Sequence, residues 1–507
     1  MGARILNKRF LTLLLLIAVL LSGCGIVKED TPCVSHSDAD HNGVCDLCSQ
    51  SVMTTFDFYS INDLHGKFAD GENHPGVDEL TTYFESVRMM DDNVVILSAG
   101  DMWQGSSESN LTYGILMTDW MNQIGVTAMA LGNHEFDWGE SYVEQNSDFA
   151  EFPFLAINVY ERATNTLVDY CQSSVVVEGD GIQIGIIGAI GDCYSSIAPD
   201  KVEDIYFKTG EELTSLVKKE SERLRTEGAD FIVYLLHDGY GSSKGTTTTT
   251  VAPSQMKSYY DVALSDGYVD LVFEGHSHQQ YLIMDQYGVY HLQNRGDNKG
   301  GISHVEVAFN TVTGSCNVSV SELVNTDSYA NLTDDPIVNE LLEKYEQQIA
   351  PGRQVLGKNS RRRSSEELRQ IVADLYYQTG LARWGDEYEI TLGGGFLQTR
   401  SPYDLKSGEV KYSQLQSLLP FDNDLVLCSI KGRDLLSKFI NTSNDNYYIG
   451  GDQTLMDNVD PNGTYYIVVD TYTSSYAPNR LTVVEEYTPG IYARDLLAEY
   501  IRQGGLQ

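Results

Sequence analysis

Five times in its first 280 residues the chain repeats one device: an apolar run that ends in a short motif of metal-type side chains. The runs cover 56–61, 94–97, 128–131, 231–236 and 271–273, and the motifs are Asp63-Leu64-His65, Gly100-Asp101, Gly132-Asn133-His134, His237 and Gly275-His276-Ser277-His278. Apolar runs this short, separated by helical patterns such as 77–89 and 210–226, read as buried strands of an α/β sheet. Further strand-like runs lie at 154–159 and 182–190. Open α/β sheets bind ligands beyond the carboxyl ends of their strands. One fold can therefore carry Asp63, His65, Asp101, Asn133, His237, His276 and His278 to a single rim. The side chains are oxygen and imidazole donors without thiolate, which suits Zn, Mn, Fe or Co. Two such ions about 3.5–4 Å apart lower the pKa of a bound water and clamp phosphoryl oxygens, so the pattern points to a two-metal hydrolase.

Length and charge narrow the classes. A chain of 507 residues has ample material for more than one domain. The net charge of −38, from 34 basic and 72 acidic residues, lacks the basic footprint that duplex nucleic acid requires. An anionic substrate would need local positive charge, such as metal ions.

The N-terminus reads as a targeting segment. Arg4, Lys8 and Arg9 precede an apolar stretch at 10–21 that is short for a membrane span, and Leu21-Ser22-Gly23-Cys24 resembles a bacterial lipobox. That resemblance implies a lipoprotein signal peptide over 1–24, with Cys24 lipidated as the mature N-terminus and anchored on the extracytoplasmic face of a membrane. Residues 25–52 form a tether with a small Cys/His module. Cys33-x2-His36 and Cys45-x2-Cys48 have knuckle spacing suited to a tetrahedral Zn site, while a disulfide and an unstructured tether are the alternatives. Asp38-x-Asp40-x-Asn42-Gly43 opens like a calcium loop, but Ser49 stands where an EF-hand needs Glu. Cys171, Cys193, Cys316 and Cys428 read as buried thiols, and His74, His291 and His304 as structural or surface residues. The stretch 241–250, rich in Gly, Ser and Thr, reads as a mobile loop. Asp334-Asp335-Pro336 opens a helix that ends at Pro351-Gly352 and reads as an interdomain connector able to hinge.

The five motifs resemble those of calcineurin-like metallophosphoesterases, and the chain from about Thr54 resembles bacterial 5′-nucleotidases in a two-domain, lipoprotein form. Asp63-Leu64-His65-Gly66 is similar to Asp-x-His-Gly, Gly100-Asp101-Met102-Trp103-Gln104-Gly105 to Gly-Asp-x-x-x-Gly, and 132–137 to Gly-Asn-His-Glu-Phe-Asp. The resemblance implies a four-layer α/β/β/α sandwich over 53–330, a connecting helix over 331–351 and an α/β substrate-binding domain over 352–507. It implies that Asp63, His65 and His278 hold one divalent ion, that Asn133, His237 and His276 hold another, and that Asp101 bridges them. His134, oriented by Asp137, would stabilise the transition state and leaving group while metal-bound hydroxide attacks phosphorus in line. The implied substrates are nucleoside 5′-monophosphates. The alternatives are 2′,3′-cyclic nucleotides, nucleotide sugars, or nucleotide binding at the cell surface without turnover.

In the second domain the resemblance is looser. Leu392-Gly393-Gly394-Gly395-Phe396-Leu397 keeps the glycines of the family's Asn-Gly-Gly-x-Ile-Arg turn but carries Leu392 and Leu397 where Asn and Arg are expected. Arg400, three residues on, is placed to supply the guanidinium. Leu419-Pro420-Phe421 matches the family's Leu-Pro-Phe, which makes Phe421 one base-stacking ring, with Tyr476 expected as the second.

Overall fold

The structure, a computed structural model, describes residues 33, 35–68, 76–239, 262–295, 301–325, 328–400, 404–476 and 480–507. Cys24 and the leader, His74 and the stretch 241–250 lie outside the described residues. The chain divides into two compact units. One holds the described residues of Met1–Thr54 with Ala308–Cys316, and the other those of Thr55–Val307 with Asn317–Gln507.

Two six-stranded sheets carry the five motifs. The first runs in the order Cys316–Leu323, Ile302–Asn310, Met53–Ile61, Val94–Ser98, Ala128–Ala130, Phe154–Leu155. The second runs Tyr281–Met284, Tyr290–Gln293, Leu271–Glu274, Phe231–His237, Ile182–Ile190, Ser174–Gly179. The strands preceding the five motifs pair in parallel within their sheets, so within each sheet the motifs emerge at one end. The sheets face each other, with the Phe58 and Phe231 rings stacked at 6.0 Å. Helix Val77–Met90 buries Val77, Leu80 and Phe84 against the first sheet, and Gly210–Glu227 buries Leu213, Val217 and Leu224 against the second. The second of these helices stops at Gly228, whose φ of +116° lets its amide bond back to Leu224 and Arg225 carbonyls. The run expected at 154–159 is broken instead into Phe154–Leu155 and Val159–Glu161. Asn158 interrupts it, because its side chain donates to the Ile190 and Lys208 carbonyls and accepts from the Ile190 amide.

A third, five-stranded sheet carries residues beyond 352 in the order Tyr447–Gly451, Ile390–Phe396, Thr464–Asp470, Leu425–Lys431, Leu481–Glu486. Between the sheet regions, Asp335 caps helix Pro336–Lys344 by accepting from the Ile337 amide at 2.8 Å. This segment is docked: Val338, Leu341, Tyr345 and Ile349 join the first sheet's core, and Lys344 Nζ pairs with Asp119 at 2.6 Å. Cys171, Cys193 and Cys428 are buried as expected, whereas Cys316 is exposed, since it opens a largely exposed edge strand.

Candidate active site

The five strand ends converge through backbone as well as side chains. The amides of Asp63 and His65 donate to the carbonyls of Gly100 and Asp101, both at 3.0 Å. The His276 amide donates to Asp63 Oδ2 at 2.9 Å and the His134 amide to Asp101 Oδ1 at 2.8 Å. Asp63, His65, Asp101, His276 and His278 all have φ between +49° and +68°. Left-handed backbone at five non-glycine residues is costly and persists only where the surroundings enforce it, and such residues cluster at functional sites. Gly100 and Gly132 are needed for the same convergence. A Cβ on Gly132 would lie 2.3 Å from Asp101 Oδ1, and one on Gly100 2.8 Å from His237 Nδ1.

The imidazoles show what the rim lacks. His237 Nδ1 faces the Ala99 carbonyl at 2.6 Å and His65 Nδ1 faces the Gln104 carbonyl at 3.0 Å. A carbonyl only accepts, so both rings carry their proton on Nδ1 and turn an Nε2 lone pair inward. There His237 Nε2 meets Asp101 Oδ2 at 3.2 Å, and His65 Nε2 meets His278 Nε2 at 3.0 Å. Asp101 Oδ2, Asn133 Oδ1 and His237 Nε2 are buried without a hydrogen-bond partner. Acceptors facing acceptors in a buried site call for cations between them. Burial would lower the His237 imidazole, yet Asp101 outweighs it and raises the ring to about 10, so a proton and a cation compete for the same Nε2 lone pair. The donor atoms of Asp63, His65 and His278 lie within 4.8 Å of one another, as do those of Asp63, Asp101 and His237. The residues present therefore fit divalent ions. His276 groups with His237 and with Cys193, whose Sγ is 3.0 Å from the His237 carbonyl.

His134 stands at the edge of this rim, its ring 5.2 Å from that of His65. Asp137 Oδ2 lies 2.7 Å from His134 Nδ1, which fixes the tautomer and turns Nε2 toward the cleft. Arg400 reaches across from the third sheet's region. Its guanidinium bonds His134 Nε2 and lies 3.3 Å from the His65 ring. The cleft between is lined by Asn133, His134, Asp137 and His276 on one side and by Phe396, Arg400, Phe421 and Tyr472 on the other. Phe421 lies 6.2 Å from the His134 ring and 5.7 Å from Arg400 Cζ.

Tyr476 does not line this cleft. Its hydroxyl donates to the Ser195 carbonyl at 2.7 Å, and its ring backs Tyr472 at 4.6 Å. The second aromatic wall is instead Phe396 stacked on Tyr472 at 5.7 Å. Leu392 and Leu397 are buried in the two cores that flank the third sheet, so neither reaches the cleft. Glu135 is a contributor that motif reading left without a role. Fully buried, it accepts from the amides of Asp101, Met102 and Gly132 and so locks two strand ends together. Burial, reinforced by Asp101, pushes its carboxyl up to about 7. The signal in the sequence was an acidic residue between His134 and Phe136, at a place where solvent offers it nothing.

Comparison with known proteins agrees with this geometry. Residues 56–280 match the calcineurin-like phosphoesterase family. An apyrase of Tabanus yao is 26% identical over 422 residues, covering 75% of this chain and 72% of that protein. The UshA protein of Yersinia enterocolitica is 26% identical over 420 residues, 74% of each chain. The crystal structure of a 5′-nucleotidase precursor from Thermus thermophilus superposes with a TM-score of 0.67 at 20% identity, over 89% of this chain and 96% of that one.

Proposed function

We propose that this chain, whose residues 56–280 match the calcineurin-like phosphoesterase family, is a metal-dependent phosphoester hydrolase of the 5′-nucleotidase type and releases phosphate from nucleoside 5′-monophosphates. The observation that carries the proposal is the set of inward lone pairs at Asp101 Oδ2, Asn133 Oδ1 and His237 Nε2, beside a cleft that also presents Arg400 and aromatic rings. Asp63, His65 and His278 would hold one ion, Asn133, His237 and His276 a second, and Asp101 would serve both. Bound there, two divalent ions would supply an activated nucleophile and neutralise phosphoryl charge.

The chain's own residues do the rest. Arg400 donates to phosphate oxygens, which a guanidinium grips bidentately without losing its charge. His134, held by Asp137 and lying beside the Arg400 guanidinium, is placed to stabilise charge in the transition state and on the departing 5′-oxygen. Phe421, Phe396 and Tyr472 form the aromatic lining for the base. The leader features and Cys24 support an exported, lipid-anchored protein, and among the described residues no helix is long and apolar enough to cross a membrane. Cys24→Ala should free the protein from membranes, and unchanged membrane retention would refute the anchor.

The test is phosphate release with Mn or Zn across nucleoside 5′-monophosphates, 2′,3′-cyclic nucleotides and nucleotide sugars. The 5′-monophosphates should be cut with the highest kcat/KM. Preference for a cyclic or sugar substrate would overturn the substrate assignment, and metal-loaded protein inert on all of them would overturn turnover itself.

A further inference from the structure

The smaller unit contains a cluster that phosphoester hydrolysis does not use. Cys33, His36, Cys45 and Cys48 bring their donor atoms within 4.8 Å of one another. A tetrahedral zinc ion has bonds of about 2.3 Å to sulfur and about 2.0–2.1 Å to nitrogen. Its edges are then roughly 3.8 Å between two sulfurs and roughly 3.5 Å between sulfur and nitrogen. Cys33 Sγ to Cys45 Sγ measures 3.9 Å, and Cys48 Sγ to His36 Nδ1 measures 3.5 Å. A disulfide would hold its sulfurs about 2.05 Å apart and would leave one of these three thiols unused. We propose that Cys33, His36, Cys45 and Cys48 hold a structural zinc ion that staples the N-terminal module.

The surrounding loop is folded to present these donors. The Ser37 amide points at Cys45 Sγ at 3.5 Å, an N–H···S contact that steadies a thiolate. The Cys45 amide bonds the Gln50 carbonyl and the Ser49 amide bonds the Cys45 carbonyl, both at 2.8 Å, which closes the turn carrying Cys45 and Cys48. The module has almost no core of its own: among described residues 33–52 the buried hydrophobic side chains are Cys45 and Val52. So small a unit needs a staple beyond hydrophobic burial. The calcium-like oxygens nearby are instead engaged in hydrogen bonds that shape the loop. Asp38 is buried and accepts from the Asn42 amide at 2.9 Å, the Gly43 amide at 3.0 Å and Asn310 Nδ2 at 2.5 Å.

The full-length chain, stripped of metal and reloaded with Co(II), tests the assignment through the thiolate-to-cobalt charge-transfer absorption in the near ultraviolet. The proposed hydrolytic ligands carry no sulfur, and Cys193 beside them is controlled by Cys193→Ser. The expected result is an intense band in the wild type that survives Cys193→Ser and is lost in Cys45→Ser and Cys48→Ser. Zinc content should fall by about one ion per chain in those last two variants, with phosphate release kept within about twofold. Three results would overturn the site: no band in the cobalt-loaded wild type, a band that disappears in Cys193→Ser alone, or a Cys33–Cys45 disulfide in peptide maps of unreduced protein. The wild-type spectrum decides even where a cysteine variant fails to fold.

Discussion

At the scale of single residues, the rim separates groups that would bind metal from a group that acts beside it. Asp101→Ala removes a carboxylate whose Oδ2 has no hydrogen-bond partner, so it should abolish phosphate release and lower bound metal together. His134→Ala leaves every proposed ligand in place. It should cut kcat by about 100- to 10,000-fold while metal content stays at the wild-type level. Normal turnover in either variant, or metal loss in His134→Ala, would refute the division of labour. Arg400 is the guanidinium facing the cleft, and removing a charge-assisted bond costs about 1.5–3 kcal/mol. Arg400→Met should therefore raise KM roughly 10- to 150-fold, tenfold per 1.4 kcal/mol, in steady-state assays.

At the scale of elements, two ionic contacts hold segments outside the five motifs. Arg494, on helix Ala493–Arg502, pairs with Asp422 and donates to the Phe421 carbonyl at 3.2 Å. It thereby fixes the loop that presents Phe421. Arg494→Leu strands a largely buried carboxylate, which should cost about 3–5 kcal/mol in denaturant unfolding and weaken substrate affinity by loosening that loop. In the first sheet, His304 bridges Asp57 at 2.5 Å and Glu322 at 3.1 Å and stacks on Tyr59 at 4.3 Å. Burial lowers its pKa, but the two carboxylates win and raise it. A raised imidazole stabilises the fold below its unfolded pKa of about 6.5, and that stability is lost as pH climbs through the folded value. The Tm difference between wild type and His304→Gln should be largest near about pH 6 and shrink as pH rises. A difference that grows with pH would contradict the assignment.

At the scale of the whole molecule, two sheets and a third structural region are tied to one site whose centre is electrostatically incomplete. Asp63, Asp101 and Glu135 are wholly buried within a few residues of one another in space, bonded to amides or facing imidazole lone pairs. Any ion that binds only the folded chain stabilises it by RT ln(1 + [L]/Kd), about 2.7 kcal/mol at a hundredfold excess over Kd. Chelation should thus lower Tm in calorimetry and Mn or Zn should restore it; an unchanged Tm would refute stabilisation by a bound ion. The connector expected to hinge is packed onto the first core through Val338, Leu341 and Tyr345.

What the sequence by itself determined was the alternation of apolar runs with ligand motifs, because strand burial and ligand chemistry both leave a local signature. That signature carried the α/β class, and it is the ground on which the common rim and the ligands are proposed. It misjudged or missed what depends on partners distant along the chain. Asn158 breaks a run of apolar residues by bonding a neighbouring strand. Glu135 looks like an ordinary acidic residue until the amides of three other residues close on it. Tyr476 has the right ring in the right region, yet packs behind Tyr472, while Phe396 turns into the cleft. Which nitrogen of each imidazole faces inward was likewise decided by the carbonyls of Ala99 and Gln104. Composition and spacing specify which groups are available, but direction and solvation are set by packing, and at this site those decide which groups meet.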